Sequence, residues 1–114
     1  MNEEAIDLAV FSELRSTAGA EFVADLVGTF CDDTASILAQ LREAAETGDA
    51  AKYKRAAHSL KSNANTFGAS RLAAIAREIE LGGLSTDAAK KVEDLGAEFE
   101  RVAGRLKELA HGGT

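Results

Sequence analysis

The stretch from Tyr53 to Gly68, YKRAAHSLKSNANTFG, has the periodicity of an amphipathic helix. Successive residues of an α-helix are rotated by about 100°, so residues three or four positions apart share a face. The apolar residues of this stretch follow that spacing: Tyr53, Ala57, Leu60, Ala64 and Phe67. We therefore predict a helix that buries this face in a core and exposes the opposite one.

His58 falls well away from the apolar face, which predicts an imidazole exposed to solvent. Cationic and polar residues share its side of the helix or border it: Lys54, Arg55, Lys61, Ser62 and Asn65. The residues on either side of His58, Ala57 and Ser59, are small and would let another protein approach the ring. The sequence thus places one accessible histidine in a locally basic patch.

Four further segments repeat apolar residues every three or four positions. They run from about 7 to 15, 21 to 46, 70 to 81 and 86 to 109, and the second includes Phe22 in its apolar face. Asp7, Asp49 and Ser70 are candidate N-caps, and Gly48, Gly68 and the Gly82-Gly83 pair are candidate stops. No segment alternates with period two, so no strand is expected.

These segments predict an all-α fold, an antiparallel four-helix bundle with an additional short N-terminal helix. The short turn at Gly48 makes the second and third helices antiparallel neighbours. We expect a single domain over residues 1–114, with a flexible tail over 110–114.

The composition restricts the classes of partner. The net charge of −6 disfavours nucleic acid and argues against anionic membranes. The N-terminus lacks the features of a signal peptide, and no stretch is apolar enough to span a bilayer, so we expect a cytoplasmic protein. Cys31 is the single cysteine, which excludes an intrachain disulfide and a multi-cysteine metal site.

His58 could be a surface residue without a role, a metal ligand or a nucleophile. Metal binding is disfavoured because Lys54 and Ser62 occupy the positions one turn away and His111 is distant. A catalytic triad is disfavoured because the sequence identifies no base or orienting residue. The surrounding cations favour the neutral, nucleophilic ring and could stabilise a phosphoryl group bound to it.

The chain shows no means of binding ATP itself. It has neither a Gly-rich phosphate loop nor a Gly-Lys-Ser/Thr sequence, and no acidic Mg²⁺ site is evident. A phosphoryl group on His58 would therefore come from one protein partner and leave to another.

Residues 56–69, AAHSLKSNANTFGA, resemble the signature of histidine phosphotransfer (Hpt) domains of two-component phosphorelays. In that family Ala-His is followed by x-Leu-Lys, Gly or Ser, a few small residues and then Gly-Ala. Six residues match in order and spacing: Ala57, His58, Leu60, Lys61, Gly68 and Ala69. Ser62 stands where many members carry Gly, and the Gly48-Asp49 turn and the order of helices also fit.

The resemblance implies a monomeric phosphoryl carrier without kinase activity or a cofactor of its own. His58 would be phosphorylated and Lys61 would stabilise the phosphoryl group. The partners would be receiver domains of hybrid histidine kinases and response regulators, which would supply the Mg²⁺. Receivers would dock over the face of His58 and the adjoining second helix, with four docking residues: Lys54, Arg55, Ser62 and Asn65. Glu80 stands where some members place Gln near the histidine, and whether it assists is left open.

Two alternatives remain open at the level of sequence. The dimerisation domain of a histidine kinase also exposes a histidine on a helical hairpin, but an acidic residue and a nearby Pro usually follow it. Here Ser59 follows His58, and the chain contains no Pro. The second alternative is a non-catalytic helical-bundle adaptor that docks receiver or kinase domains.

Overall fold

Five helices make up the computed structural model, which describes residues 4–112, with side chains to residue 110. They are α1 (Leu8–Ala18), α2 (Ala20–Thr47), α3 (Ala50–Thr66), α4 (Ser70–Gly82) and α5 (Ala88–Gly112). No residue in this range lies in a strand. The predicted all-α fold is confirmed.

Helices α2 to α5 form the bundle, and short turns reverse the chain between them. Each packs against two others, with α3 between α2 and α4 and α5 closing the ring against α4 and α2. The short α1 packs against α2. The 28-residue α2 exceeds the 17-residue α3, and at 1.5 Å per residue it extends about 16 Å beyond its neighbour.

The predicted apolar face of α3 lies in the core, where all five of its residues are buried. Tyr53 and Leu60 are among the largest side chains that are fully buried. Burial of side chains of this size contributes roughly 1.5–3 kcal/mol each. This burial fixes the rotation of α3 about its axis, and the same rotation turns His58 outward.

Phe22 is the clearest departure from the predicted cores, because 56% of its surface is exposed. By helical spacing Phe22 lies on the same edge of α2 as Asp33 and Gln40, which are exposed too, and off the buried face that contains Val23 and Val27. The prediction that Phe22 is buried was wrong.

Two of the predicted N-caps are confirmed and one is wrong. The carboxylate of Asp7 accepts from the backbone N–H groups of Ala9 and Val10, and that of Asp49 accepts from Lys52. Ser70 is instead the first residue of α4, after a cap at Ala69 that makes no side-chain hydrogen bond. A backbone hydrogen bond from Ala73 to Ala69 begins this helix without a side-chain cap.

The helix boundaries are otherwise close to those predicted. α1 continues to Ala18, three residues beyond its predicted end. α5 extends to Gly112 and so includes the first three residues of the predicted tail, while Gly113 and Thr114 lie outside the described residues. Gly48 adopts the left-handed conformation at the end of α2, as expected of a glycine stop.

The turn after α3 contacts both α2 and Asp7, the residue that precedes α1. Gly68 has a φ of +78° and accepts a 2.7 Å hydrogen bond from the Asp7 N–H. Phe67 beside it packs against Phe30 of α2, with ring centroids 4.8 Å apart and the rings tilted by 42°. A Cβ added at Gly68 would lie 2.9 Å from the carbonyl oxygen of Asp7. Glycine is required here by conformation and by space.

We expect Gly68→Ala to destabilise the protein more than Gly48→Ala. Both positions have a left-handed φ, which costs an L-residue about 1–2 kcal/mol. A Cβ at Gly48 would meet no atom within 4 Å, whereas one at Gly68 would clash with α1, adding about 1–3 kcal/mol. Urea unfolding followed by circular dichroism measures the difference, and equal losses in the two variants would contradict this account of the turn.

Candidate functional site

His58 lies in the middle of α3 with 58% of its side chain exposed. Ala57 and Leu60, its neighbours on the apolar face, are fully buried and hold the helix against the core. The prediction of an exposed imidazole on an anchored helix is confirmed.

Glu80 of α4 bridges His58 and Lys61. One carboxylate oxygen, Oε2, lies 2.7 Å from Nδ1 of His58, and the other, Oε1, accepts a 2.8 Å hydrogen bond from Nζ of Lys61. Only 14% of the Glu80 side chain is exposed, and 25% of that of Lys61. The sequence identified no residue that orients the imidazole and left the role of Glu80 open, and the structure places Glu80 against the ring.

Hydrogen bonds with Lys61 and His58 change the acidity of Glu80. The hydrogen bond from Lys61 is the main cause that lowers the pKa of the Glu80 carboxyl, and the hydrogen bond with His58 lowers it further. Partial burial opposes both effects without overcoming them. Glu80 is therefore a carboxylate at neutral pH, and the charges around His58 include a contacting anion as well as the cations expected from sequence.

The ionisation of Glu80 assigns the tautomer of the neutral His58 ring. A carboxylate can only accept hydrogen bonds, so Nδ1 must carry the proton that lies between them. The lone pair of the neutral ring is then on Nε2, which bonds to no described residue. The neutral ring therefore has its available lone pair on Nε2, and its orientation is fixed through Nδ1.

The other predicted site residues lie on the side of α3 that carries His58 and form no described hydrogen bond with it. Lys54, Arg55, Ser62 and Asn65 are all exposed on the outward side of α3. None of them bonds to the imidazole. Their role in docking stays a prediction, while Lys61 is brought into the site through Glu80.

A signal for Glu80 was available in the sequence. His58 precedes Ala69 by eleven residues and Glu80 follows it by eleven, so an antiparallel hairpin places the two at the same level. The spacing of Leu72, Ala76 and Ile79 also predicts which face of α4 is buried, and these residues are in the core. The missing information was the side of α3 against which α4 packs.

Features that would indicate another chemistry are absent from the described residues. No group of three or more potential ligands among His, Cys, Asp and Glu could hold a metal ion in that part of the chain. Cys31 is half-buried, and burial raises the pKa of its thiol, which disfavours a reactive thiolate. None of the described helices is both long and apolar enough to cross a bilayer.

We expect the carboxyl of Glu80 to titrate below the ordinary range of glutamate and to depend on Lys61 more than on His58. Lys61→Ala should raise its midpoint more than His58→Gln, because the hydrogen bond from Lys61 is the largest cause of the lowered pKa. Since the folded-state pKa is lowered, the stabilising contribution is present above the unfolded-state pKa and is lost as pH falls through the folded value. Carbon-13 NMR of the carboxyl measures the midpoint. Lys54→Ala is the control, because it removes an equal charge from the helical turn before His58. If it raised the Glu80 midpoint as much as Lys61→Ala does, the assignment would be refuted.

Comparison with known proteins agrees with the geometry of this site. The family model described as Hpt domain matches residues 25–111. The crystal structure of histidine-containing phosphotransfer protein B (HptB) from Pseudomonas aeruginosa PAO1 superposes with a TM-score of 0.88 at 28% identity and covers 96% of both chains. No curated protein matches the chain at a significant level. The structure is a helical bundle with an exposed histidine that a carboxylate orients, and the family model matches most of the length of the chain. We conclude that the chain belongs to the Hpt domain family of histidine phosphotransfer proteins.

Proposed function

We propose that His58 is the residue that carries the phosphoryl group between aspartates of receiver domains. One observation carries the proposal: the exposed ring of His58 has its Nδ1 held by a carboxylate 2.7 Å away, which leaves Nε2 as the nucleophile. Membership of the Hpt family supplies the class of reaction, histidine phosphotransfer in phosphorelays.

The transfer exchanges one bond to phosphorus for another. The Nε2 lone pair attacks the phosphorus of an aspartyl phosphate, the P–O bond to the donor aspartate breaks, and that carboxylate departs with the electron pair. The proton on Nδ1 stays in place, hydrogen-bonded to Glu80. Transfer to the next receiver is the reverse of these events with a second aspartate as the nucleophile. Positioning and charge stabilisation supply most of the catalysis in such reactions.

Lys61 supplies positive charge beside the transferred group in this proposal. It follows His58 by one helical turn, and its ammonium has three donors, of which Glu80 uses one. The remaining donors could bind phosphoryl oxygens through charge-assisted hydrogen bonds. The Mg²⁺ that phosphoryl transfer requires would come with the receiver domain.

Receiver domains would dock on the outward surface of α3 around His58 and on the adjoining edge of α2. The side chains at the proposed contact are exposed, and Ser62, one turn after His58, is small. Lys54, Arg55 and Asn65 surround the ring with polar and cationic groups. We propose that the chain works as a cytoplasmic monomer, without kinase activity, and without binding nucleic acid or membranes.

We expect His58→Gln to abolish labelling from a phosphorylated receiver domain. Gln retains polarity and similar size but lacks the nucleophilic ring nitrogen, and the exposed position of His58 predicts that the bundle stays folded. The label on the wild type should survive base and be lost in acid. His111→Gln is the matched control and should be labelled normally. Residual labelling of His58→Gln would overturn the proposal. Failure of the wild type to become labelled would also overturn it and would favour a non-catalytic adaptor.

The unmodified wild-type protein also serves to test the proposed absence of kinase activity. Incubation of the wild type with ATP and Mg²⁺ alone should leave it unlabelled, whereas labelling would assign the chain to the kinases.

We expect Ser62→Trp to block transfer by covering the approach to His58. The position is exposed, so helicity and thermal stability should be unchanged. Ser16→Trp, on an exposed position of α1, introduces the same bulk at a different helix. Transfer rates from a receiver measure both variants, and a wild-type rate for Ser62→Trp would refute docking on this surface.

A further inference from the structure

The bridge formed by Glu80 has a consequence for the phosphorylated protein. Phosphorylation at Nε2 leaves a ring that carries the phosphoryl group on one nitrogen and a proton on the other, with a formal positive charge. The Glu80 carboxylate, 2.7 Å from Nδ1 in the unmodified protein, is placed to stabilise that charge and to retain that proton.

The proton on Nδ1 determines how readily the phosphoryl group leaves. When Nδ1 is protonated, rupture of the Nε2–P bond returns the electron pair to Nε2 and releases a neutral imidazole. When Nδ1 is bare, the same rupture releases an imidazolate anion, a much poorer leaving group. A group that holds the Nδ1 proton therefore keeps the phosphoryl group transferable.

Glutamate and glutamine differ at this position in the hydrogen bonds they can make. A carboxylate only accepts, so Glu80 favours the protonated Nδ1. A glutamine amide can accept through its oxygen or, after rotation, donate through its nitrogen to a bare Nδ1. We propose that Glu80 holds the phosphorylated His58 in its protonated, readily transferring form, which makes this chain a rapid-turnover carrier instead of a phosphoryl store.

Charged residues on the helices that pack around α3 are the other groups that could act on the ring. Helical spacing puts Lys54, Arg55 and Lys61 of α3 on its side, Arg77 lies one turn before Glu80 on α4, and Asp33 and Glu43 belong to the neighbouring α2. Glu80 is the one of these that bonds to Nδ1, and Glu43 is paired with Lys52. Lys61 limits the effect because it shares the Glu80 carboxylate. A phosphoryl group that draws Lys61 toward itself would free Glu80 to act on Nδ1 more strongly. The inference rests on the proposed function, since it requires His58 to be phosphorylated.

The lifetime of the phosphorylated protein as a function of pH tests the inference. Phosphoramidate, a small phosphoryl donor, labels the protein without any docking partner, and phosphorus-31 NMR follows loss of the label between pH 6 and 10. Loss should slow as Nδ1 deprotonates, and in Glu80→Gln this fall should occur about one pH unit lower than in the wild type, as expected when a charge-assisted hydrogen bond becomes a neutral one. At the pH of greatest difference the wild type should lose its label about tenfold faster.

Glu78→Gln is the matched control, because it removes one exposed carboxylate from the same helix. It should retain the wild-type profile, and coincident profiles for Glu80→Gln and the wild type would overturn the inference. If Glu80→Gln cannot be labelled, nitrogen-15 NMR of the phosphorylated wild type decides the matter. Nδ1 still protonated at pH 8 supports the role of Glu80, and a bare Nδ1 at that pH refutes it. The proposed function is tested separately, by labelling from a receiver domain.

Discussion

Close packing of α3 against α4 is the constraint on which the site depends. The buried faces of the two helices are rich in alanine, with Ala57 and Ala64 on one and Ala73 and Ala76 on the other. Small side chains allow helix axes to approach toward the lower end of the usual 8–10 Å range. At such a separation a glutamate of α4 can reach both His58 and Lys61. The small residues that appear in sequence as a weakly hydrophobic core thus bring the site's carboxylate to its histidine.

The surface around His58 differs in charge from the chain as a whole. An acidic protein with a net charge of −6 presents a locally basic surface around His58. The carboxylate at the centre of that surface is mostly covered, with 14% of its side chain exposed, whereas the cations around it face outward. A partner would therefore meet positive charge, while the carboxylate is engaged by the ring of His58 and by Lys61.

Much of this arrangement could be predicted because helical periodicity reports which face is buried. The rotation of α3, the exposure of His58 and the caps at Asp7 and Asp49 all follow from local patterns. Glu80 could not be paired with its partners because that pairing depends on how α4 packs against α3. Phe22 was wrongly included in the buried face, since it shares a helical edge with the exposed Asp33 and Gln40. Periodicity describes one helix at a time and does not show which side chains of two helices meet.

The unequal lengths of α2 and α3 divide the molecule into two ends. One end holds the site. At the other, the overhang of α2 is accompanied by α1 and by the last turns of α5, where Arg105 pairs with Glu4. Different side chains therefore build the two ends. A substitution or a fused segment at the far end is expected to leave the contacts among His58, Lys61 and Glu80 unchanged.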